Sequence, residues 1–154
     1  SFLGSSASER ENSINENLFL NPLHREQLSG KTVIIIDDSV IRGNASRRGI
    51  ELLAQSGVKK IYFMPYTPPI GIRTKEHGLH GCVYGVDMPI EPPPGDGYLA
   101  RDRDQAEINR LMSQHGVEVE VVYLTLDNML SALASIGLPK QSLCHFCVGG
   151  PKIY

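Results

Sequence analysis

Residues Val33-Ile34-Ile35-Ile36 form an unbroken aliphatic run, and Asp37-Asp38 stand directly behind it. A run of β-branched residues entered at Thr32 predicts a strand buried on both faces of a parallel sheet. The stretch Asp37-Asp38-Ser39-Val40-Ile41-Arg42-Gly43-Asn44 reads as a polar turn with a glycine in it. A helical pattern then runs from about Ala45 to Ser56 and stops at Gly57. Strand, polar turn and helix open a βαβ unit, which commits the chain to an α/β architecture.

The rest of the chain keeps the same alternation. Ile61 to Tyr66 predicts a second strand, with Pro65, Pro68 and Pro69 ending regular structure and a long loop following to about Gly81. Cys82 to Met88 reads as a short strand closed by Pro89. The Glu91-Pro92-Pro93-Pro94-Gly95 segment is an excursion with little core of its own. Asp104 to His115 places Ala106, Ile108, Leu111 and Met112 on one side of a helix. Val117, Val119, Val121 and Val122 follow as a strand, and Asp127 to Ile136 predicts a helix with Met129, Leu130, Leu133 and Ala134 facing inward. The expected fold is a three-layer α/β domain with a mainly parallel sheet. Ser1 to Gly30, rich in Ser, Asn and Glu, reads as a long loop leading in.

Composition narrows the function. The 154 residues carry 15 Lys+Arg against 17 Asp+Glu, a formal net charge of −2, so no basic field is present to coat nucleic acid. The aliphatic run at Val33–Ile36 falls far short of the roughly 20 residues that span a bilayer. Neither nucleic acid nor membrane is therefore an expected partner. Three cysteines make an odd number and no leader pattern is visible, which points to the reducing cytoplasm. Residue 1 is Ser and not Met, as in a processed chain or a fragment.

In open α/β sheets ligands bind outside the carboxyl ends of the strands, and the turn after Ile36 is such a place. Backbone N–H groups from Arg42 to Ser46, with the helix dipole behind them, suit a phosphate monoester. Asp37 and Asp38 suit vicinal hydroxyls or a divalent cation. A ligand with phosphate at one end and a diol at the other, such as a ribose 5-phosphate, fits both. The plainer alternative is a solvated strand end followed by an ordinary turn and helix cap.

From Val33 to Gly43 the order is four aliphatics, two acids, a small residue, two aliphatics, Arg and Gly. This resembles the signature by which type I phosphoribosyltransferases bind phosphoribosyl pyrophosphate (PRPP). Lys59-Lys60-Ile61-Tyr62-Phe63, Pro68-Pro69-Ile70, Val83-Tyr84-Gly85-Val86-Asp87-Met88-Pro89 and Cys144-His145-Phe146-Cys147 occur in the order and approximate spacing seen in the amidophosphoribosyltransferases. The likeness runs from about Ser1 to Tyr154. It implies the C-terminal part of a type I phosphoribosyltransferase-like domain, incomplete at its N-terminus. On this reading residues 1–30 are a mobile loop and lead-in, and 31–154 are a partial phosphoribosyltransferase domain with a Cys-x-x-Cys tail.

The resemblance also implies an activity. A glutaminase domain or subunit, absent from these residues, would release ammonia, which attacks PRPP to give 5-phosphoribosylamine and pyrophosphate at the entry to purine synthesis. Asp37 and Asp38 would be catalytic, holding the ribose hydroxyls, assisting Mg²⁺ and stabilising positive charge at the anomeric carbon. Ser39, Val40, Ile41, Arg42, Gly43, Asn44, Ala45 and Ser46 would complete the PRPP-binding stretch. Purine nucleotides would bind as well, and a homo-oligomer is expected. The other reading is a degenerate homologue that binds a nucleotide or phosphosugar without turnover, as a sensor or partner subunit.

Taken alone, three free thiols in a cytosolic protein are unremarkable. Some amidophosphoribosyltransferases carry a [4Fe-4S] cluster whose ligands match Cys82, Cys144 and Cys147, with the fourth lying upstream of this chain. Zinc held by the three cysteines and His145 is ranked lower, since His145 lies inside the Cys-x-x-Cys pair. Two departures from the family stand out. The loop that is basic in the family here carries Glu9, Glu11 and Glu16 against Arg10, around Ser13-Ile14, and the usual Thr-Thr after the signature glycine is Asn44-Ala45. Elsewhere the reading is structural: Tyr84 and Met88 in core or wall, His77, His80 and His115 on the surface or at caps, and Asp102-Arg103-Asp104 as a solvated helix start.

Overall fold

A computed structural model describes residues 18–84, 88–95 and 97–152. The acid-rich lead-in loop around Ser13-Ile14 and residues Gly85, Val86 and Asp87 lie outside them. The described elements, in order, are helix α1 (Pro22–Arg25) with a 3-10 turn at Glu26–Leu28, strand β1 (Thr32–Asp37), helix α2 (Asn44–Ala54) and strand β2 (Lys60–Pro65). Two short strands, β3 (Arg73–Thr74) and β4 (Gly78–Leu79), come next. Helix α3 (Gln105–Met112), a 3-10 turn at Gln114–Gly116, strand β5 (Glu118–Val121) and helix α4 (Leu126–Ser135) follow, and then come 3-10 turns at Lys140–Ser142 and Phe146–Val148.

The main sheet has the order β1-β2-β5. Strands β2 and β5 are parallel, pairing Ile61 with Val119 and Phe63 with Val121. Around β1 and β2 the backbone bonds link Lys59 to Lys31, Tyr66 to Asp37 and Thr67 to Asp38. Partner numbers rise together along both segments, the mark of a parallel alignment. The expected α/β class with a mainly parallel sheet therefore holds.

The chain divides into two compact units. The first comprises Ser1–Ile35, Gly43–Phe63 and Gln105–Val121. Its core is built from Ile50 and Leu53 on α2, Ile61 and Phe63 on β2, Ile108 and Met112 on α3, and Val117, Val119 and Val121. These positions obey the helix and strand periods that the sequence displays. The exposed face of the β2–β5 pair is polar: Lys60 Nζ reaches Glu118 at 2.8 Å and Glu120 at 3.0 Å, and lies 4.7 Å from the Tyr62 ring centre. Between α3 and β5, Asn109 Oδ1 accepts from the Val121 N–H and Ser113 Oγ accepts from the Val119 N–H, which docks the helix on the strand without apolar contact at those points.

The second unit comprises Ile36–Arg42, Met64–Asp104 and Val122–Tyr154. Its core gathers Ile70, Tyr98, Met129, Leu130 and Val148. Arg101 organises the loops here. Its guanidinium donates to the carbonyls of Gly71, His80 and Ile90 and sits 4.4 Å from the Tyr98 ring centre, so one side chain ties together three irregular segments. Burial lowers the Arg101 pKa, while the neighbouring Tyr98 and Asp102 oppose that shift.

Several expectations are corrected. Strand β1 is not buried on both faces: Ile34 is 60% exposed and Ile36 81%, and the alternate residues Val33 and Ile35 are only half-buried. Residues 22–28 are helical and not loop, capped by Asn21 Oδ1, which accepts the Leu23 N–H. Within the expected loop before Gly81 lies the antiparallel β3–β4 pair. Of the expected strand at Cys82–Met88, the described residues Cys82, Val83, Tyr84 and Met88 are not in a strand. Ala106 and Ala134 are exposed, since their helices turn only Ile108, Met112, Met129 and Leu130 fully inward. Tyr84 is exposed, whereas Met88 packs on the second core as expected. His80 is fully buried and not at the surface: Phe146 O lies 2.6 Å from its Nδ1 and Thr74 Oγ1 lies 2.8 Å from its Nε2. Asp102-Arg103-Asp104 are exposed just ahead of α3, as expected, with Asp102 pairing with Arg73 and Arg103 donating to the carbonyls of Tyr98 and Leu99.

Candidate functional site

The segment from Asp37 to Ser46 is one uninterrupted piece of chain, and its two halves fold for different reasons. Asp37 closes β1, and Asp38 begins the loop. The Asp37 carboxylate turns back on the chain: its Oδ1 accepts the Asp38 N–H at 2.9 Å. Asp38 Oδ1 in turn accepts from the Ser39 hydroxyl at 3.2 Å. Each carboxylate keeps its second oxygen out of these bonds. Burial pushes the Asp37 carboxyl up from its ordinary value. The Asp38 N–H opposes that shift and the Asp38 charge adds to it. Val40 is buried, and Ile41 packs on the second core while its carbonyl accepts the Leu99 N–H at 2.7 Å.

Helix α2 begins after Gly43, whose φ of 84° places it in the left-handed region that glycine enters without a Cβ penalty. No side chain caps this helix. The N–H groups of Asn44, Ala45 and Ser46 are by helix geometry without intrahelical partners, while the Arg47 N–H already bonds the Gly43 carbonyl. Asn44 Oδ1 accepts from the Arg47 guanidinium at 2.6 Å. Ser46, in the first turn of the helix, is only 7% exposed.

Two adjacent carboxylates, each with a free oxygen, suit Mg²⁺, which takes one or two carboxylates and completes its shell with water and substrate oxygens. The thiols give a different answer. Cys144 is exposed, and Cys82 and Cys147 are half-buried. Burial raises the Cys147 thiol first, and the charges of Cys144 and Cys82 push in the same direction. Among the described residues, however, no three His, Cys, Asp or Glu side chains converge into a group that could hold a metal ion. These residues alone do not assemble a cluster site, or the zinc site with His145.

No family model matches the chain. Individual proteins do. The chain is 30% identical over 149 residues to the amidophosphoribosyltransferase of Methanothermobacter thermautotrophicus, covering 97% of this chain and 27% of that protein. Identity to the Synechococcus elongatus amidophosphoribosyltransferase is 32% over 146 residues, 95% of this chain and 24% of that one. The chain is a relative of the amidophosphoribosyltransferases. It spans about a quarter of the length of these two relatives. Its fold is theirs as well. The solved glutamine PRPP amidotransferase of B. subtilis, complexed with ADP and GMP, superposes with a TM-score of 0.62 at 22% identity, over 99% of this chain and 30% of that structure. The amidophosphoribosyltransferase likeness thus covers nearly the whole chain, including the Asp37–Ser46 segment and the Cys-x-x-Cys tail.

Sequence reasoning missed that Thr67 lines a cavity of about 240 Å³ with Met129, Leu130 and Leu133 of α4 and with Cys144 and Cys147 of the tail, because that placement depends on how α4 and the tail fold back.

Proposed function

We propose that the chain carries the PRPP site of an amidophosphoribosyltransferase and transfers ammonia to PRPP, giving 5-phosphoribosylamine and pyrophosphate. The observation that carries this reading is the Asp37-Asp38 pair at the end of a parallel strand, followed by a helix that no side chain caps. Amides at the α2 N-terminus would take the 5-phosphate, and Asp37 and Asp38 would accept hydrogen bonds from the ribose hydroxyls. Their negative charge would stabilise the oxocarbenium character that develops as C1 loses pyrophosphate. Mg²⁺, held between these carboxylates and PRPP, would neutralise charge on the departing pyrophosphate. Positioning and electrostatics suffice for such a step.

Ammonia would come from glutamine through a glutaminase domain or subunit, purine nucleotides would bind as regulators, and the protein would act as a homo-oligomer in the cytoplasm. No helix among the described residues is long and apolar enough to cross a membrane. Cys82, Cys144 and Cys147 would ligate a [4Fe-4S] cluster only with a fourth ligand from outside these residues and with closer convergence of the three thiols. Iron and sulfide analysis of anaerobically purified protein tests that assignment, and a protein without iron sinks it.

A second reading rests on the acidic residues Glu9, Glu11 and Glu16, which would repel pyrophosphate. On that reading the chain binds a phosphosugar or nucleotide without turnover. Pyrophosphate release from PRPP with an ammonium salt separates the two. Release that disappears in the Asp37→Asn, Asp38→Asn double variant supports the enzyme, whereas saturable PRPP binding with no release supports the sensor.

A further inference from the structure

A loop that receives a phosphosugar has to hold one shape before the ligand arrives, because apparent affinity falls with the fraction of molecules in that shape. Residues 38–42 lie in neither helix nor strand. Val40 is buried among them, and Ile41 packs on the core that contains Tyr98. Backbone bonds tie the loop to other segments of the second unit: the Asp38 carbonyl accepts the Thr67 N–H at 3.2 Å, and the Ile41 carbonyl accepts the Leu99 N–H at 2.7 Å.

Leu99 sits in an irregular stretch, Tyr98-Leu99-Ala100, whose residues are only 2%, 3% and 4% exposed. Buried backbone outside helix and strand needs partners for its carbonyls. Arg103 supplies them: its Nη1 donates to the Tyr98 and Leu99 carbonyls, at 2.9 Å each. The Tyr98 carbonyl and the Leu99 N–H are the two ends of one planar trans peptide group and point in opposite directions. The guanidinium therefore holds one end of the group whose other end holds Ile41. A charged donor on the carbonyl also polarises the amide and makes its N–H the stronger donor. The Tyr98 ring is fastened separately, its hydroxyl donating to the Pro89 carbonyl at 2.7 Å, so what Arg103 governs is the orientation of the peptide. We propose that Arg103 is a positioning residue for PRPP binding: through the Tyr98–Leu99 peptide it fixes the Ile41 carbonyl, and with it the loop that follows the acid pair, in the shape that receives the ligand. The identity of the ligand rests on the phosphoribosyl reading, whereas the coupling of Arg103 to the loop does not.

Two measurements test this, with Arg73→Ala as the control. That variant removes the same unit of charge from the partner of Asp102, next to Arg103, and leaves the Tyr98–Leu99 peptide its bonds. In amide hydrogen exchange without ligand, Arg103→Ala speeds exchange at the Leu99 amide and across residues 38–42 by about tenfold, and Arg73→Ala does not. In calorimetric titration with PRPP and Mg²⁺, at a temperature where each variant is folded, Arg103→Ala binds about tenfold more weakly and Arg73→Ala binds like the parent. Arg103→Lys, which keeps a charged donor, recovers most of the affinity, and Arg103→Gln, which keeps a neutral one, falls between and carries the same prediction where the alanine variant does not fold. A merely structural role would lower the melting temperature and leave PRPP affinity unchanged, and that result overturns the proposal. Equal weakening by Arg103→Ala and Arg73→Ala overturns it as well, since charge alone would then be at work, and so does unchanged exchange in Arg103→Ala. A folded parent that binds no PRPP sinks the phosphoribosyl reading and the ligand assigned here with it, and the exchange result alone then decides whether Arg103 holds the loop.

Discussion

At the scale of single residues, function and stability pull apart at Asp37. Because burial raises its pKa, the folded chain holds that proton to a higher pH than the unfolded chain does. The ionised form therefore costs stability at neutral pH, and the cost is relieved as pH falls through the folded pKa. Asp37→Asn is expected to raise the melting temperature at pH 7 modestly, with the difference vanishing in acid, while PRPP binding is lost; melting curves across pH check the first half. Tyr123 gives a second pH effect. Its phenol is pushed up to about 12 by burial, and its hydroxyl has no partner. The unfolded chain ionises near pH 10, so stability on the order of 2–3 kcal/mol is lost as pH climbs from about 10 to about 12. Urea titrations should show a shallower slope over that range in Tyr123→Phe than in the parent. Arg101→Ala leaves the carbonyls of Gly71, His80 and Ile90 without their donor and is expected to cost about 2–4 kcal/mol in the same assay.

At the scale of elements, what was legible in the sequence depended on period and length. Strand β1, helix α2, strand β2 and the β5–α4 pair were read from aliphatic runs, valine alternation and glycine stops, and their limits lie within a few residues of expectation. Strands β3 and β4, at two residues each, are too short to show a period, and they form because a turn brings Arg73 opposite Leu79. The burial of His80 was not legible either, since it depends on Thr74 and on Phe146, which is 66 residues away. Of the candidate site, the acids and the glycine turn were legible because backbone geometry demands those residue types there. The burial of Ser46 and the capture of Asn44 by Arg47 depend on packing that a linear pattern does not carry. The Gly71 turn tests this view of the elements. Its φ is +70°, and a Cβ would lie 2.3 Å from the Tyr98 ring. Gly71→Ala is expected to cost at least about 2 kcal/mol, read as a lowered urea midpoint.

At the scale of the whole molecule, the chain corresponds to about a quarter of the relatives that share its sequence, and yet it contains two compact units with separate cores. The residues from Asp37 to Ser46 are consecutive in the sequence, so the proposed PRPP contacts depend on a continuous stretch of backbone and not on side chains gathered from distant positions. That makes the central claim testable through two side chains. The most direct measurement is calorimetric titration of the protein with PRPP, with and without Mg²⁺, for the parent and for the Asp37→Asn, Asp38→Asn double variant. The account predicts saturable binding in the parent that strengthens with Mg²⁺ and falls at least about a hundredfold in the double variant, as expected when two charged hydrogen-bonding groups are lost together. Equal binding by parent and variant, or no binding by a folded parent, would contradict it.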